Sequence, residues 1–417
     1  MSKIFDTVRG ICADVRAVAP QIAGADHETR CRVLAAMAEQ LLLCREAILA
    51  ANERDLQLAA DNGVPRVMLD RLTLTAARIA DIAEGVRALI PLPDPLAGGK
   101  TWQRPNGLII TEKPVPFGVI AMIYEARPNV TADAAALAIK SGNGVVLRGG
   151  KEAIYTNIAI VDALQKALAL EGFAPNIVSL ITVTDREGAD ALLSMRGLID
   201  LLIPRGGKGL IRNCVDNAKV PVIETGAGNC HVYVDAAADL EKALRVTVNA
   251  KCQRPSVCNA AESLLCHRAI AAEFLPRFYE ATREFSLELR GCPETCRLLP
   301  GITPATEEDF YTEYNDYIMS VKVVDSVEEA IEAVNRTGTC HSEAIVTEDA
   351  VAAESFMRLV DAAAVYHNAS TRFTDGGEFG YGAELGISTQ KMHARGPMGP
   401  DALVTVKYLI VGNGTVR

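Results

Sequence analysis

No segment of this 417-residue chain carries the GxGxxG turn with which a strand and helix usually cradle a dinucleotide. GAGNCH at 226–231 and GNGTVR at 412–417 come nearest, and both break the pattern. Any nucleotide site is therefore expected to be of another kind. The eleven cysteines never stand as a CxxC pair, which argues against a zinc ribbon or a disulfide framework. A long basic block is also missing, and the net charge is 42 − 52 = −10. Nucleic acid is thus a poor candidate for main partner, although local Arg and Lys can still receive a small anion. No apolar run approaches the ~20 residues of a membrane span. The opening MSKIFDTVRGICADVRAV scatters charges through the stretch that a secretory signal would keep apolar. The reducing cytoplasm is the expected compartment.

What is present reads as two α/β units. Length beyond ~250–300 residues argues for more than one core. The first hundred residues are expected to be helical: from Asp26, Val33, Leu34, Met37, Leu41 and Leu42 recur at helical spacing, and Asn62-Gly63 supplies a stop. PLPDPLAGG at 91–99 is a hinge. The two extended runs around Pro114-Val-Pro116 suggest a hairpin arm. Apolar strand-like runs then recur at 119–123, 145–147, 177–181, 198–203 and 220–223, with helical patterns at 157–170 and 186–195. Such alternation indicates a parallel sheet covered on both faces. A second set follows from about residue 235, at 261–266, 318–324, 344–347 and 363–366, with helices expected at 328–335 and 350–361. VTVKYLIVGNG near the end reads as a strand in search of an edge.

Three places carry chemistry. VVLRGG (145–150) and IPRGGKGLI (203–211) each end a strand in Arg followed by paired glycines, an arrangement that brings backbone N–H groups and a cation to a phosphate. An ordinary βα turn reads the same way. Cys258, in NAKCQRPSVCNAAE, has Lys251 and Arg254 upstream, a breaking Pro255 and small residues after it. Nearby cations favour a thiolate there, and a backbone N–H at such a turn can face an oxyanion. Cys12, Cys31, Cys44 and Cys214 lie in helical patterns and read as core; Cys292 and Cys296 form a CPETC pair without partner ligands, so no metal is expected. A papain-like scheme needs a base, and nothing selects one among His231, His341, His367 and His393. Last, NASTRFTDGGEFGYGAELGIST (368–389) packs five glycines into 22 residues beside Ser370, Thr371 and Arg372, an arginine suited to clamping a carboxylate.

With Cys258 and the glycine segment identified, the chain resembles the gamma-glutamyl phosphate reductases (glutamate-5-semialdehyde dehydrogenases) of the aldehyde dehydrogenase superfamily. The shared blocks are 116–153, IPRGG (203–207), ETGAGNCHVYVD (224–235), QRPSVCNAAE (253–262) and 370–399. The resemblance implies an aldehyde dehydrogenase-like α/β fold. It divides the chain into a cofactor-binding domain (1–101 and 117–234), a catalytic domain (235–395) and a small β oligomerisation arm (102–116 and 396–417). The arm hairpin and the strand-like C-terminus would meet across a subunit contact in a homo-oligomer.

The implied activity is NADPH-dependent reduction of L-glutamyl 5-phosphate to L-glutamate 5-semialdehyde and phosphate in proline biosynthesis, through a thioester on Cys258. A general aldehyde dehydrogenase that hydrolyses its thioester is the neighbouring alternative. Glu224, 34 residues before Cys258, matches the superfamily's general base, with a role in orienting the thiol or the nicotinamide. The superfamily's oxyanion asparagine aligns with Glu125, and Asn129 is the next amide donor. Arg148, Gly149, Gly150, Lys151, Arg205, Gly206 and Gly207 would hold cofactor phosphates and Glu313 the nicotinamide ribose. Arg127 or Arg372, with Ser370 and Thr371, would take the substrate α-carboxylate. A glutamate 5-kinase is a candidate partner implied by the resemblance.

Overall fold

The structure is a computed structural model that describes residues 2–64 and 66–417. The chain divides into two compact units, Met1–Glu224 with Gly380–Gly386 and Met398–Arg417, and Thr225–Phe379 with Ile387–Pro397.

The first unit opens with helices α1 (Lys3–Ala23), α2 (His27–Leu43), α3 (Arg45–Asp61), α4 (Arg66–Leu72) and α5 (Ala76–Ala88). Ser2, Asp26 and Thr75 cap three of them by accepting backbone N–H groups three residues on. The expected stop holds: α3 ends at Asp61, and Gly63 adopts φ 70°, a conformation cheap only for glycine. Then come β1 (Lys100–Gln103), β2 (Ile109–Pro116), β3 (Val119–Tyr124), α6 (Asn129–Lys140), β4 (Gly144–Arg148), α7 (Ile154–Leu170), β5 (Val178–Leu180), α8 (Arg186–Leu193), β6 (Leu201–Arg205) and α9 (Lys208–Asn217). Strands β5-β4-β3-β6 form a parallel sheet in that order. Residues 220–223, expected to form a strand, contribute one isolated bridge, Leu202↔Val222. The segment Lys151–Leu170 is long and apolar enough by composition to cross a membrane, contrary to the sequence expectation; half of it is buried inside the protein, where Ile160, Leu164 and Leu168 join the core.

The second unit contains β7 (Cys230–Val234), α10 (Leu240–Cys252), β8 (Ala261–His267), α11 (Arg268–Ala281), β9 (Glu288–Gly291), α12 (Pro293–Leu298), β10 (Thr303–Pro304), β11 (Ile318–Val324), α13 (Val327–Thr337), β12 (Ser342–Val346), α14 (Ala350–Leu359), β13 (Ala364–His367), β14 (Ile387–Ser388) and β15 (Gly396–Pro397). Seven strands pair in parallel in the order β10-β9-β11-β8-β7-β12-β13. β7 sits between β8 and β12, so the unit begins at Thr225 and not after residue 234 as read from sequence. Phe274, Phe278, Val321 and Leu264 fill one side of the sheet, and Phe356 stacks on Tyr233 on the other.

The arm differs from expectation. β16 (Val404–Val411) pairs antiparallel with β2 of the same chain along eight positions, from Val404↔Pro116 to Val411↔Ile109, so no subunit contact is needed to join them. The hairpin is β1–β2, not a fold about Pro114-Val-Pro116. Both prolines lie within β2 beyond the end of β1, where one flank has no neighbour and a missing N–H costs little.

Two buried histidines brace the second sheet. His231 Nδ1 and Nε2 each lie 2.9 Å from a partner, Glu343 Oε2 and Thr337 Oγ1 respectively. His341 is fully buried, with Nδ1 2.8 Å from Ser342 Oγ, and burial pushes its pKa down to about 4. Between the ordinary value of ~6.5 and 4 the unfolded chain takes a proton that the folded chain refuses, so the stability present above pH 6.5 is lost as pH falls through that window. The full effect is about 3 kcal/mol. Urea unfolding of the parent and His341→Asn at pH 7.5 and pH 5 checks this: the parent should lose more stability on acidification, and equal losses would show an imidazole that titrates normally.

Candidate active site

In a parallel sheet every strand presents its entering loop at one edge. That geometry gathers the segments ahead of β7, β8 and β11, carrying Gly228, Cys258 and Glu313. Cys258 lies half-buried in the irregular stretch between α10 and β8. Its carbonyl accepts from Cys230 Sγ at 3.2 Å, and the backbone of Gly228 is packed so closely that a Cβ there would overlap the Cys258 carbonyl. Gly228 N–H in turn donates to Glu313 Oε1 at 2.7 Å. The residues expected as nucleophile and as ribose partner are thereby tied through one glycine.

The remaining cysteines divide by burial. Burial pushes the thiols of Cys12 and Cys266 up to about 12 and those of Cys214 and Cys252 to about 11, and it raises that of Cys230 well above the ordinary thiol value. These stay protonated and enclosed. Cys292 contacts Thr295 and Cys296 donates to Gly291 O; among the described residues no three His, Cys, Asp or Glu side chains form a metal-binding group.

Lys251 does not serve Cys258 as sequence suggests. Its Nζ is 2.5 Å from Glu262 Oε2, both side chains are fully buried, and Glu262 Oε1 also accepts from Asn315 N–H at 3.2 Å. Desolvation drags the lysine pKa down and the glutamate up, and each partner's charge opposes that. The pair fixes the start of β8, the end of α10 and the turn carrying Glu313. Arg254, four residues before Cys258, remains exposed, and its charge reaches Arg372.

Arg372 is brought to the same neighbourhood. Its Nη1 donates to Asn259 Oδ1 and its Nε to Gln253 Oε1 at 3.1 Å. Asn259 Nδ2 donates to Thr374 O at 2.9 Å, and Thr371 Oγ1 donates to Asn259 O at 2.7 Å. Thr371 is wholly buried in this duty, and Ser370 Oγ caps the turn by accepting from Arg372 N–H. Both hydroxyls therefore hold Arg372 in place. This clamp joins segments over 110 residues apart, and nothing local in the sequence announces it.

The first unit holds the other candidates. β4, β3 and β6 end side by side, Arg148 opposite Ile123 and Arg205 opposite Tyr124, so both Gly-Gly turns lie at the carboxyl edge of the sheet, where such folds bind ligands. Glu125 stands between them, and its Oε1 accepts from Gly207 N–H at 2.9 Å, at the N-terminus of α9. A Cβ on Gly206 would press on that carboxylate at 2.8 Å, and one on Gly149 would overlap the Asn157 amide. Arg148 Nη2 donates to Thr184 O at 2.8 Å, while Arg148 Nε and Arg205 Nη1 are buried without an acceptor. Lys151 is exposed. Asn129 donates to Asp133 Oδ2 at 3.0 Å, Arg127 is half-buried on the same β3–α6 turn, and Glu224 is half-buried at the unit's last residue before Thr225.

The Gly228 contact gives a direct test. Gly228→Ala should fold but displace Cys258 or the Glu313 carboxylate, lowering kcat/KM by about 10²-fold, the scale of an ångström's misplacement. Steady-state rates beside a thermal melt separate this from unfolding, and parental activity would show that the contact tolerates a methyl group.

Residues 6–303 and 310–386 match the family model described as the aldehyde dehydrogenase family. A gamma-glutamyl phosphate reductase of Streptococcus suis is 57% identical over 396 residues, covering 94% of this chain and 95% of that one. Its counterpart from Petrotoga mobilis is 54% identical over 387 residues, 93% of each chain. The crystal structure of gamma-glutamyl phosphate reductase from Thermotoga maritima superposes with a TM-score of 0.96 at 46% identity, covering 98% of this chain and 99% of that one. With half-exposed Cys258 held at a sheet edge and near-full-length matches of this kind, the chain belongs to the aldehyde dehydrogenase family and, within it, to the gamma-glutamyl phosphate reductases, oxidoreductases of that fold.

Proposed function

We propose that this chain reduces L-glutamyl 5-phosphate to L-glutamate 5-semialdehyde and phosphate with NADPH, in proline biosynthesis, through a thioester on Cys258. The observation that carries the reading is the setting of Cys258, half-exposed as five other cysteines also are, but with the charge of Arg372 reaching it and exposed Arg254 four residues before it. Two cations stabilise a thiolate more than a thiol. The sulfur forms a C–S bond with the acyl carbon as the C–O bond to phosphate breaks, phosphate leaving with the electron pair. A thioester carbonyl accepts hydride far better than a carboxylate, so covalent capture divides the reduction into two easier steps. When the C–S bond breaks, the same cations stabilise the departing thiolate.

The residues present fit a dinucleotide phosphate. Gly207 N–H already holds an anionic oxygen, and the buried Arg148 and Arg205 donors lack acceptors. We assign Gly149, Gly150, Gly206 and Gly207 to close backbone approach, Lys151 and Arg205 to phosphate charge, and Arg148 to bracing the loop at Thr184. NADPH, when bound, supplies the hydride. Glu313 would accept from the ribose, exchanging its Gly228 partner. Because Asn129 donates to Asp133, the oxyanion donor is assigned to a backbone N–H of the Cys258 turn, and Glu224 to orienting thiol or nicotinamide. Arg372 is assigned the substrate carboxylate in preference to Arg127, since it is hydrogen-bonded to Asn259, the residue after the nucleophile.

We also assign the arm to a homo-oligomer. Among the described residues no strand pairs with the outer edge of β16, which exposes Val406, Tyr408 and Ile410, a surface that invites strand pairing with a second copy. Tyr408→Asp combined with Ile410→Lys should reduce the mass measured by light scattering to that of one chain; an unchanged mass places the contact elsewhere.

The reaction is tested in the oxidative direction. NADP⁺-dependent oxidation of glutamate-5-semialdehyde should require inorganic phosphate and vanish in Cys258→Ala, with mass spectrometry of the parent locating the glutamyl adduct on Cys258. Phosphate-independent turnover, or an adduct on another residue, would overturn the scheme.

A further inference from the structure

A cavity of about 220 Å³ opens in the second unit between the end of α10 and the turn after β13, lined by Asn249, Gln253, Arg372, Phe373, Asp375 and Glu378. Its wall is joined to the nucleophile's neighbour, because Arg372 and Thr371 are both hydrogen-bonded to Asn259. Among the described residues no carboxylate forms an ion pair with Arg372, although its guanidinium is half-buried and feels the charges of Arg254, Asp375 and Cys258. Asp375 is three residues further along. Its Oδ1 accepts from Gly377 N–H at 2.8 Å and Glu378 N–H at 3.4 Å, which fixes the plane of the carboxylate, while Oδ2 has no donor among the described residues.

The cavity thus presents a cation and an anion, on one short turn, to whatever enters it. A simple aldehyde or acyl phosphate has no use for that pair. A ligand carrying a carboxylate and an ammonium on one carbon does, and each of its charges would meet the opposite charge. We propose that Asp375 is a specificity residue that binds the α-ammonium group of the substrate while Arg372 binds the α-carboxylate. The proposal rests on the reading of the reaction given above and adds the amino-group partner. Both Asp375 and Glu378 are exposed, and Asp375 is preferred because two backbone N–H groups orient its carboxylate before any ligand arrives and so reduce the ordering cost of binding. An analogue lacking the ammonium would leave that carboxylate facing a methylene group, the situation in which a polar pocket discriminates best.

The experiment compares L-glutamate 5-semialdehyde with its desamino analogue 5-oxopentanoate, both oxidised with NADP⁺ and phosphate by the full-length enzyme. The quantity read is the ratio of the two kcat/KM values, with kcat and KM resolved. Asp375→Asn should lower the parent's preference for the amino substrate about tenfold or more, mainly through KM, the scale of one hydrogen bond to a charged group. Asp375→Glu, which keeps the carboxylate, should recover part of the preference and guards against mere misfolding. A ratio unchanged in Asp375→Asn overturns the proposal, and so does a selective loss that appears in Glu378→Gln instead. A parent enzyme that turns over neither compound removes the reading beneath it and this assignment together; one that turns over both without preference removes this assignment alone.

Discussion

The close approach of Gly228 to the Cys258 carbonyl is the constraint on which the second unit's chemistry depends. A residue on an irregular stretch has no ladder of backbone hydrogen bonds to hold it. Here the stretch is held from outside: Gly228 leans on it, Glu313 holds Gly228, and Cys230 reaches its carbonyl from β7. Only a residue without a Cβ permits this approach. The position of Cys258 thus depends on what meets its backbone carbonyl, the Gly228 backbone and the Cys230 thiol.

Around that contact the buried Lys251–Glu262 pair serves as a frame. Two charges removed from water are costly, and their attraction compensates only where the remaining lone pairs are also used. Glu262 meets that condition by accepting from Asn315 as well as Lys251. Removing one partner alone would strand the other charge at a cost of about 3–5 kcal/mol. The pair flanks the Cys258 stretch at both ends in sequence and reaches the turn of Glu313. Its placement favours a role in fixing register between segments over one in adding net stability.

The architecture was legible where periodicity is strong. The strand at 318–324 appears with the expected bounds, and α7, α8, α13 and α14 lie within a few residues of the spacing that announces them. Errors fell where pairing decides the outcome. Residues 220–223 are as apolar as their neighbours but find no ladder, and β7 belongs to the sheet on which it pairs and not to the unit that precedes it. Cys258 stood out because Pro255 and small residues surround it. Lys251 was misjudged because sequence shows a cation near a cysteine but not the carboxylate eleven residues on that takes its charge. Asn259 and Gln253 were missed because their meaning comes from Arg372, more than a hundred residues away.

Both units use a parallel sheet, but they use opposite edges of it. In the first, the turns with Arg148 and Arg205 follow β4 and β6, so their backbone N–H groups point outward from the carboxyl ends, and the N-terminus of α9 adds a partial positive charge. That edge suits an anion that must bind and leave. In the second, Gly228, Cys258 and Glu313 precede β7, β8 and β11, at the amino edge. The proposed thiolate there needs a cation from the side, and Arg372, whose charge reaches Cys258, supplies one. A third arrangement, with the sulfur at a helix N-terminus, would lower the cost of the thiolate equally well but would direct the same N–H groups at the sulfur, leaving fewer for the oxyanion. On its irregular stretch Cys258 instead meets the charge of Arg372 from a separate segment of the same unit.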